Sequence, residues 1–181
     1  MRPQNYKISS DEAMDLVYYN QTVKDTSIFG ILDFSIELFN HELNFENCIV
    51  HHLKAIKTQF NKQVKFLNCR FISCDFSFSF FPGGLQIVNC SFDNYLNFEC
   101  GGHNEPKNSF KLENSIFKNF VNFYDCSYDG PFILKGNDFQ NGTNILGNKN
   151  MPYEAVFKLT PLIENNNGAL NVDGEGNKMS H

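Results

Sequence analysis

The sequence has no tryptophan, no C-x-x-C pair and no apolar run long enough to cross a membrane as a helix. The missing span excludes a helical membrane protein. The missing cysteine pair removes the usual signal for a zinc ribbon or a thioredoxin-like redox site. Charge is scarce: charged residues make up 19% of the chain, with 15 Lys and Arg against 20 Asp and Glu, for a net charge of -5. A direct nucleic-acid binder needs a basic footprint, and none is present. No apolar stretch follows Met1-Arg2-Pro3-Gln4-Asn5-Tyr6-Lys7, so neither a signal peptide nor a lipidation motif is read, and the expected location is the cytoplasm. The sequons Asn20-Gln21-Thr22 and Asn141-Gly142-Thr143 carry no meaning there, and the six cysteines are expected to be reduced.

What the chain does have is phenylalanine and asparagine. Its 181 residues include 20 Phe and 25 Asn, and 41% of them are hydrophobic. That is enough apolar material for one folded domain and too much for general disorder.

These residues recur. The frame apolar-x-Asn-Cys-x-Phe reads Phe66-Leu67-Asn68-Cys69-Arg70-Phe71 and Ile87-Val88-Asn89-Cys90-Ser91-Phe92. Variants stand at Phe45–Val50, Leu112–Phe117 and Leu134–Phe139, so the frame starts at 45, 66, 87, 112 and 134, with spacings of 21, 21, 25 and 22. A shorter period lies inside it. Phe66, Phe71, Phe76 and Phe81 are five apart, preceded at i-2 by Val64, Cys69, Cys74 and Ser79. Residues i and i-2 share one face of an extended strand, so each five-residue side points one large and one small residue inward. Four sides make a square coil of about twenty residues, and stacked coils make a parallel β-helix with a continuous core.

Four inward columns follow. The first is Leu43/Phe45, Val64/Phe66, Leu85/Ile87, Phe110/Leu112 and Phe132/Leu134; the second is Cys48/Val50, Cys69/Phe71, Cys90/Phe92, Ser115/Phe117 and Asn137/Phe139. The third is Leu53/Ala55, Cys74/Phe76, Leu96/Phe98 and Val121/Phe123; the fourth is Thr58/Phe60, Ser79/Phe81 and Cys126/Tyr128, with a gap in the 25-residue turn. Each buried Phe contributes roughly 1.5–3 kcal/mol. Asn47, Asn68, Asn89 and Asn114 fall at one corner, where asparagine tolerates a left-handed backbone and can bond to its copies above and below.

The stretch Cys69-Arg70-Phe71-Ile72-Ser73-Cys74-Asp75-Phe76-Ser77-Phe78 resembles the repeat of the pentapeptide-repeat proteins, well from 45 to 81 and in degenerate form from 85 to 140. The resemblance implies an all-β, right-handed quadrilateral β-helix, here of five to six turns. It also implies a non-catalytic role, which in some members of that family is DNA mimicry directed at topoisomerases.

The expected organisation is an N-terminal cap (1–21) with a helix from Ser10 to about Asn20, β-helix repeats (22–146), a C-terminal capping segment (147–173) and a loose tail (174–181). The first turn runs inward through Ser27/Phe29 and Leu32/Phe34, with a register slip expected at Glu37. Pro82-Gly83-Gly84 is a turn. Residues 101–109 form an inserted loop that projects from one side. Residues 151–163 cover the upper end or join a last turn.

No catalytic constellation emerges. The cysteine column gives way to Ser115 and Asn137, so it reads as a demand for small side chains. His51 and His52 point to opposite faces, and His41 and His103 lack partners at metal-ligand spacing. The outward acids Glu46, Asp75, Asp93, Glu99, Glu113 and Asp125 form no pair suited to glycoside chemistry. No cofactor or metal is expected. Phe78 and Phe80 fall off the inward register and would form an exposed apolar patch; with His103 they are the candidate contact residues, for an unknown protein or for self-association. The expected function is a non-enzymatic scaffold presenting an interaction surface. The alternatives are a DNA-mimicking topoisomerase binder, which Lys54, Lys57, Lys65, Arg70 and Lys111 argue against, and a carbohydrate-binding or carbohydrate-active β-helix, supported only by outward aromatics such as Tyr124 and Phe78.

Overall fold

The computed structural model describes residues 6–176. The chain winds into a parallel β-solenoid of about six turns, preceded by one short helix. Side 1 is a seven-stranded sheet: Val23–Lys24, Leu43–Glu46, Val64–Leu67, Leu85–Val88, Phe110–Glu113, Phe132–Lys135 and Leu162–Glu164. Sides 2 and 3 merge at the lower turns, where Thr26–Asp33, Ile49–Lys54 and Arg70–Asp75 run on around the corner. Side 4 begins with Leu38–Phe39 on Gln59–Phe60, continues through single bridges at Phe80 and Gly102, and ends with Ser127–Tyr128 on Val156–Phe157.

The four inward columns are buried as their period requires. Their rings stack from turn to turn: Phe71 on Phe92 at 4.8 Å, Phe92 on Phe117 at 5.2 Å and Phe117 on Phe139 at 4.8 Å, all close to parallel. Phe76, Phe98 and Phe123 do the same on side 3, at 5.5 and 5.2 Å. Asn47, Asn68, Asn89 and Asn114 have φ of 50 to 54°, and Asp25, Gly136 and Asn165 extend this left-handed corner to the other turns. Their amides form a ladder, Asn89 to Asn68 to Asn47 to Asp25, with N···O distances of 3.3, 3.1 and 3.0 Å.

The small inward residues do more than fit. At side 2 the Cys48 N–H donates to Cys69 Sγ (3.5 Å), Cys69 N–H to Cys90 Sγ (3.4 Å), Cys90 N–H to Ser115 Oγ (3.1 Å) and Ser115 N–H to Asn137 Oδ1 (3.0 Å). Each side chain thus satisfies a backbone group of the turn below, which a buried N–H requires. Side 4 uses the same device, with Thr58 N–H on Ser79 Oγ and Ser79 Oγ–H on the Ala55 carbonyl.

The first turn differs from expectation. Thr26 and Ile28 point inward, not Ser27 and Phe29; Phe29 lies outside against His51 at 4.3 Å. The register shift lies between Ile28 and Ile31, not at Glu37. Gly30 takes up the extra residue at φ +92°, and a Cβ there would meet Ser10 Oγ at 2.9 Å, so the bulge seats the start of the helix. Glu37/Phe39 keep the five-residue step; Phe39 is buried and Glu37 reaches solvent just ahead of the edge strand Leu38–Phe39. The helix α1 runs from Ser10 to Tyr18 with Ser9, not Ser10, as N-cap, in a capping box with Glu12. Ahead of it Tyr6–Ser9 adds a strand parallel to Thr26–Phe29, which the sequence pattern had not indicated. Ala13 and Val17 seal the lower end.

The 101–109 loop does not project. It is wedged at the corner between sides 4 and 1: buried Asn104 donates to the Asn108 and Pro131 carbonyls, and Asn108 to that of Pro82. The gap on side 4 is filled from side 1, where Phe110 packs on Phe81, Phe98 and Tyr128 at 5.0 to 5.5 Å. Strand pairing continues above 146 through Val156–Phe157, Leu162–Glu164 and Asn167. The expected tail starts at Gly174, and Gly174–Gly176 is docked against side chains of lower turns; 177–181, like 1–5 of the cap, lie outside the described residues.

Candidate interaction surface

In the turns from 57 to 125, the corner between sides 3 and 4 is also left-handed, at Lys57, Phe78, Cys100 and Asp125, with φ of 58, 58, 53 and 55°. Of these residue types only Asp favours such a backbone, so this corner was not legible in the sequence. A bulky side chain in that region is a conformational outlier. Phe78 is nevertheless there, 42% exposed, two residues from Phe80 at 36%. His103, itself at φ 53°, packs edge-on against Phe80 with centroids 4.6 Å apart. The structure therefore brings His103 onto Phe80, and the wedged loop leaves both rings open to solvent.

Two residues of this face went unread. Ile36 and Leu38 are exposed at the same corner and side two turns below Phe78 and Phe80. Continuing the five-residue step past Leu32/Phe34 places both outward; the slip expected at Glu37 hid them. Along the corner Lys57 lies between Ile36 and Phe78, and Asp125 two turns above Phe78 beyond Cys100, so a cation interrupts the apolar patch and an anion stands above it.

Elsewhere on the outer faces several acids are paired with cations. Asp93 bridges Arg70 and Lys118, each at 2.7 Å; burial pushes its carboxyl up, but the two cations pull it below the usual carboxylate value. Lys54 pairs with Asp33, Lys111 with Glu113 and Lys158 with Asp129. Tyr124 is stacked on Tyr153 at 4.3 Å. A groove of about 740 Å³ follows the Asn47–Asn114 corner, lined by amides, thiols, serines, two isoleucines and Arg70, which supply no acid–base pair.

The thiols of Cys74, Cys100 and Cys126 are held protonated. Burial and then the Asp75 charge push Cys74 well up; burial takes Cys126 up to about 12, and burial with Asp125 and Glu99 takes Cys100 up to about 11. A thiol that resists ionisation is a poor nucleophile and metal ligand. All six cysteines are free, and among the described residues no group of three or more His, Cys, Asp or Glu is placed to hold a metal ion. No helix among them is long and apolar enough to cross a membrane. Comparison with protein families, curated proteins and solved structures finds no match to this chain.

Proposed function

We propose that this protein is a non-enzymatic scaffold, a solenoid of degenerate pentapeptide-type repeats that works through a protein contact on side 4, and that the partner is a second copy of the chain. The observation that carries this is Phe78, a bulky residue in a left-handed backbone with its ring in solvent. The fold imposes this backbone at every turn of the corner from Lys57 to Asp125, and residues strained in this way cluster at functional contacts. Ile36, Leu38 and Phe80 widen the apolar area. The charges favour a second copy: in a two-fold contact an antiparallel partner sets its Asp125 opposite Lys57, and its Lys57 opposite Asp125. The two residues are three turns apart, about 14 Å at the spacing of paired strands.

Sedimentation equilibrium up to about 100 µM chain, a weak-to-moderate range, tests this. The wild type is expected to dimerise and Phe78→Ser/Phe80→Ser to remain monomeric with an unchanged circular dichroism spectrum. Lys57→Asp and Asp125→Lys should each weaken the dimer, and the two together should restore it. A monomeric wild type, or a dimer indifferent to these changes, overturns the proposal.

A further inference from the structure

The outward positions of side 4 form one column. Parallel pairing aligns Leu38, Gln59, Phe80, Gly102, Ser127 and Val156, one to a turn. Beside it runs the left-handed corner, where Lys57, Phe78, Cys100 and Asp125 follow one another in the same turns. The column is apolar at both ends: Leu38 is 51% exposed and Val156 56%. Neither packs the core. Each adjoins an inward ring that does, Phe39 against Phe60 and Phe157 against Phe132. Inside the two apolar ends come two polar places, Gln59 and Ser127. At the centre the exposed ring of Phe80 stands next to a residue with no side chain, Gly102.

This order is self-complementary. When a second copy lies on side 4 with its axis reversed, the two-fold runs along the strands, so the column and the corner each meet their own copies in reverse order. Lys57 and Asp125 are three turns apart, and setting each against the other puts the two-fold midway between the turns of Phe80 and Gly102. That choice fixes every other pair. Leu38 meets Val156, Gln59 meets Ser127, and Phe80 meets Gly102, a buried glycine with no side chain to hold the ring away. On the corner Phe78 meets the half-buried Cys100, and Ile36 meets Glu154, whose carboxylate is turned back to accept the Asn150 N–H at 2.8 Å. The alignment was set by two charges on the corner alone, yet in the column apolar falls on apolar and polar on polar. A copy related by a two-fold parallel to the axis would set Gln59 on Gln59 and Phe80 on Phe80, and would carry Lys57 to the far edge from Asp125.

We infer that the contact on side 4 extends over the whole column and that Leu38 against Val156, once at each end, sets its alignment. The inference rests on the side 4 contact proposed above and adds the upper turn to it. From Leu38 to Val156 the contact spans about 24 Å at the spacing of paired strands. The ends supply specificity by opposing the wrong alignment. A slip of one turn sets Leu38 against Ser127 and Lys57 against Cys100, so it loses an apolar contact and the charge pair at both ends together.

The test is a charge exchange at the two ends, read by sedimentation equilibrium of the full chain. Both positions are exposed, so Leu38→Asp, Val156→Lys and the double variant should keep the wild-type circular dichroism spectrum and urea midpoint. Each single change should weaken the dimer by about tenfold or more. The double variant sets a carboxylate against an ammonium at both ends and should recover about tenfold over the weaker single variant. An equimolar mixture of the two single variants should pair as heterodimers in preference to either homodimer. A wild-type dimer that Phe78→Ser/Phe80→Ser abolishes, but whose double variant shows no recovery, overturns this alignment and leaves the side 4 contact standing. A wild type that stays monomeric up to about 100 µM overturns both.

Discussion

Ser79 shows what a single inward position is asked to do. Its hydroxyl accepts the buried Thr58 N–H and donates to the Ala55 carbonyl, joining consecutive turns. Ser79→Ala keeps the volume nearly constant and orphans both groups, so unfolding in urea should show a loss of about 1–3 kcal/mol, whereas Ser79→Cys should cost less. The sequence showed that these positions take small residues, because Cys, Ser, Thr and Asn alternate with Phe at i-2. It did not show why Leu or Val suffices at side 1 while sides 2 and 4 keep a hydrogen-bonding group, since that depends on where the corner interrupts the ladder. The thiols belong to the same scale: Cys48, Cys69 and Cys90, a metal-like column in the sequence, are small hydrogen-bond relays.

At the scale of elements, the lower end is the part least like the repeat. Tyr6–Ser9, α1 and the Gly30 bulge form one unit, in which the bulge opens room for the Ser10 side chain. Gly30→Val meets both a positive φ and that side chain. It should cost about 1–3 kcal/mol in urea unfolding and lower the helical signal at 222 nm; unchanged values would show that the bulge does not seat the helix. The helix was legible from Ser10-Asp11-Glu12, but its cap was displaced by one residue because Ser9 and Ser10 both satisfy the pattern and only Ser9 sets Glu12 at the third helical position. The bulge was illegible because Ser27/Phe29 and Thr26/Ile28 alternate equally well until pairing with Ile49–Val50 selects one of them. The 101–109 segment looked like a free loop by composition; it is held by Asn104 and Asn108, whose partners at Pro82 and Pro131 lie in neighbouring turns and leave no local trace.

For the whole molecule, the absence of tryptophan and the excess of phenylalanine describe one slot repeated at every turn. Each turn touches mainly its neighbours, so stability is close to a sum of turn-to-turn contacts. That periodicity made the architecture legible. The candidate surface was legible only where it broke the period: Phe78 and Phe80 stood out as apolar residues at outward positions, while Ile36 and Leu38 were concealed by the misplaced slip, and the left-handed corner by Lys57, Phe78 and Cys100, which do not signal it.

The central claim is that Phe78 is retained at a cost to the fold because it makes a contact. Phe78→Asn, compared with wild type in urea unfolding of dilute protein and in sedimentation at high concentration, tests it most directly. Asparagine tolerates the φ of 58° at this position. The expected result is an isolated chain stabilised by about 1 kcal/mol that no longer self-associates. A variant that is no more stable than wild type and associates as well would contradict it.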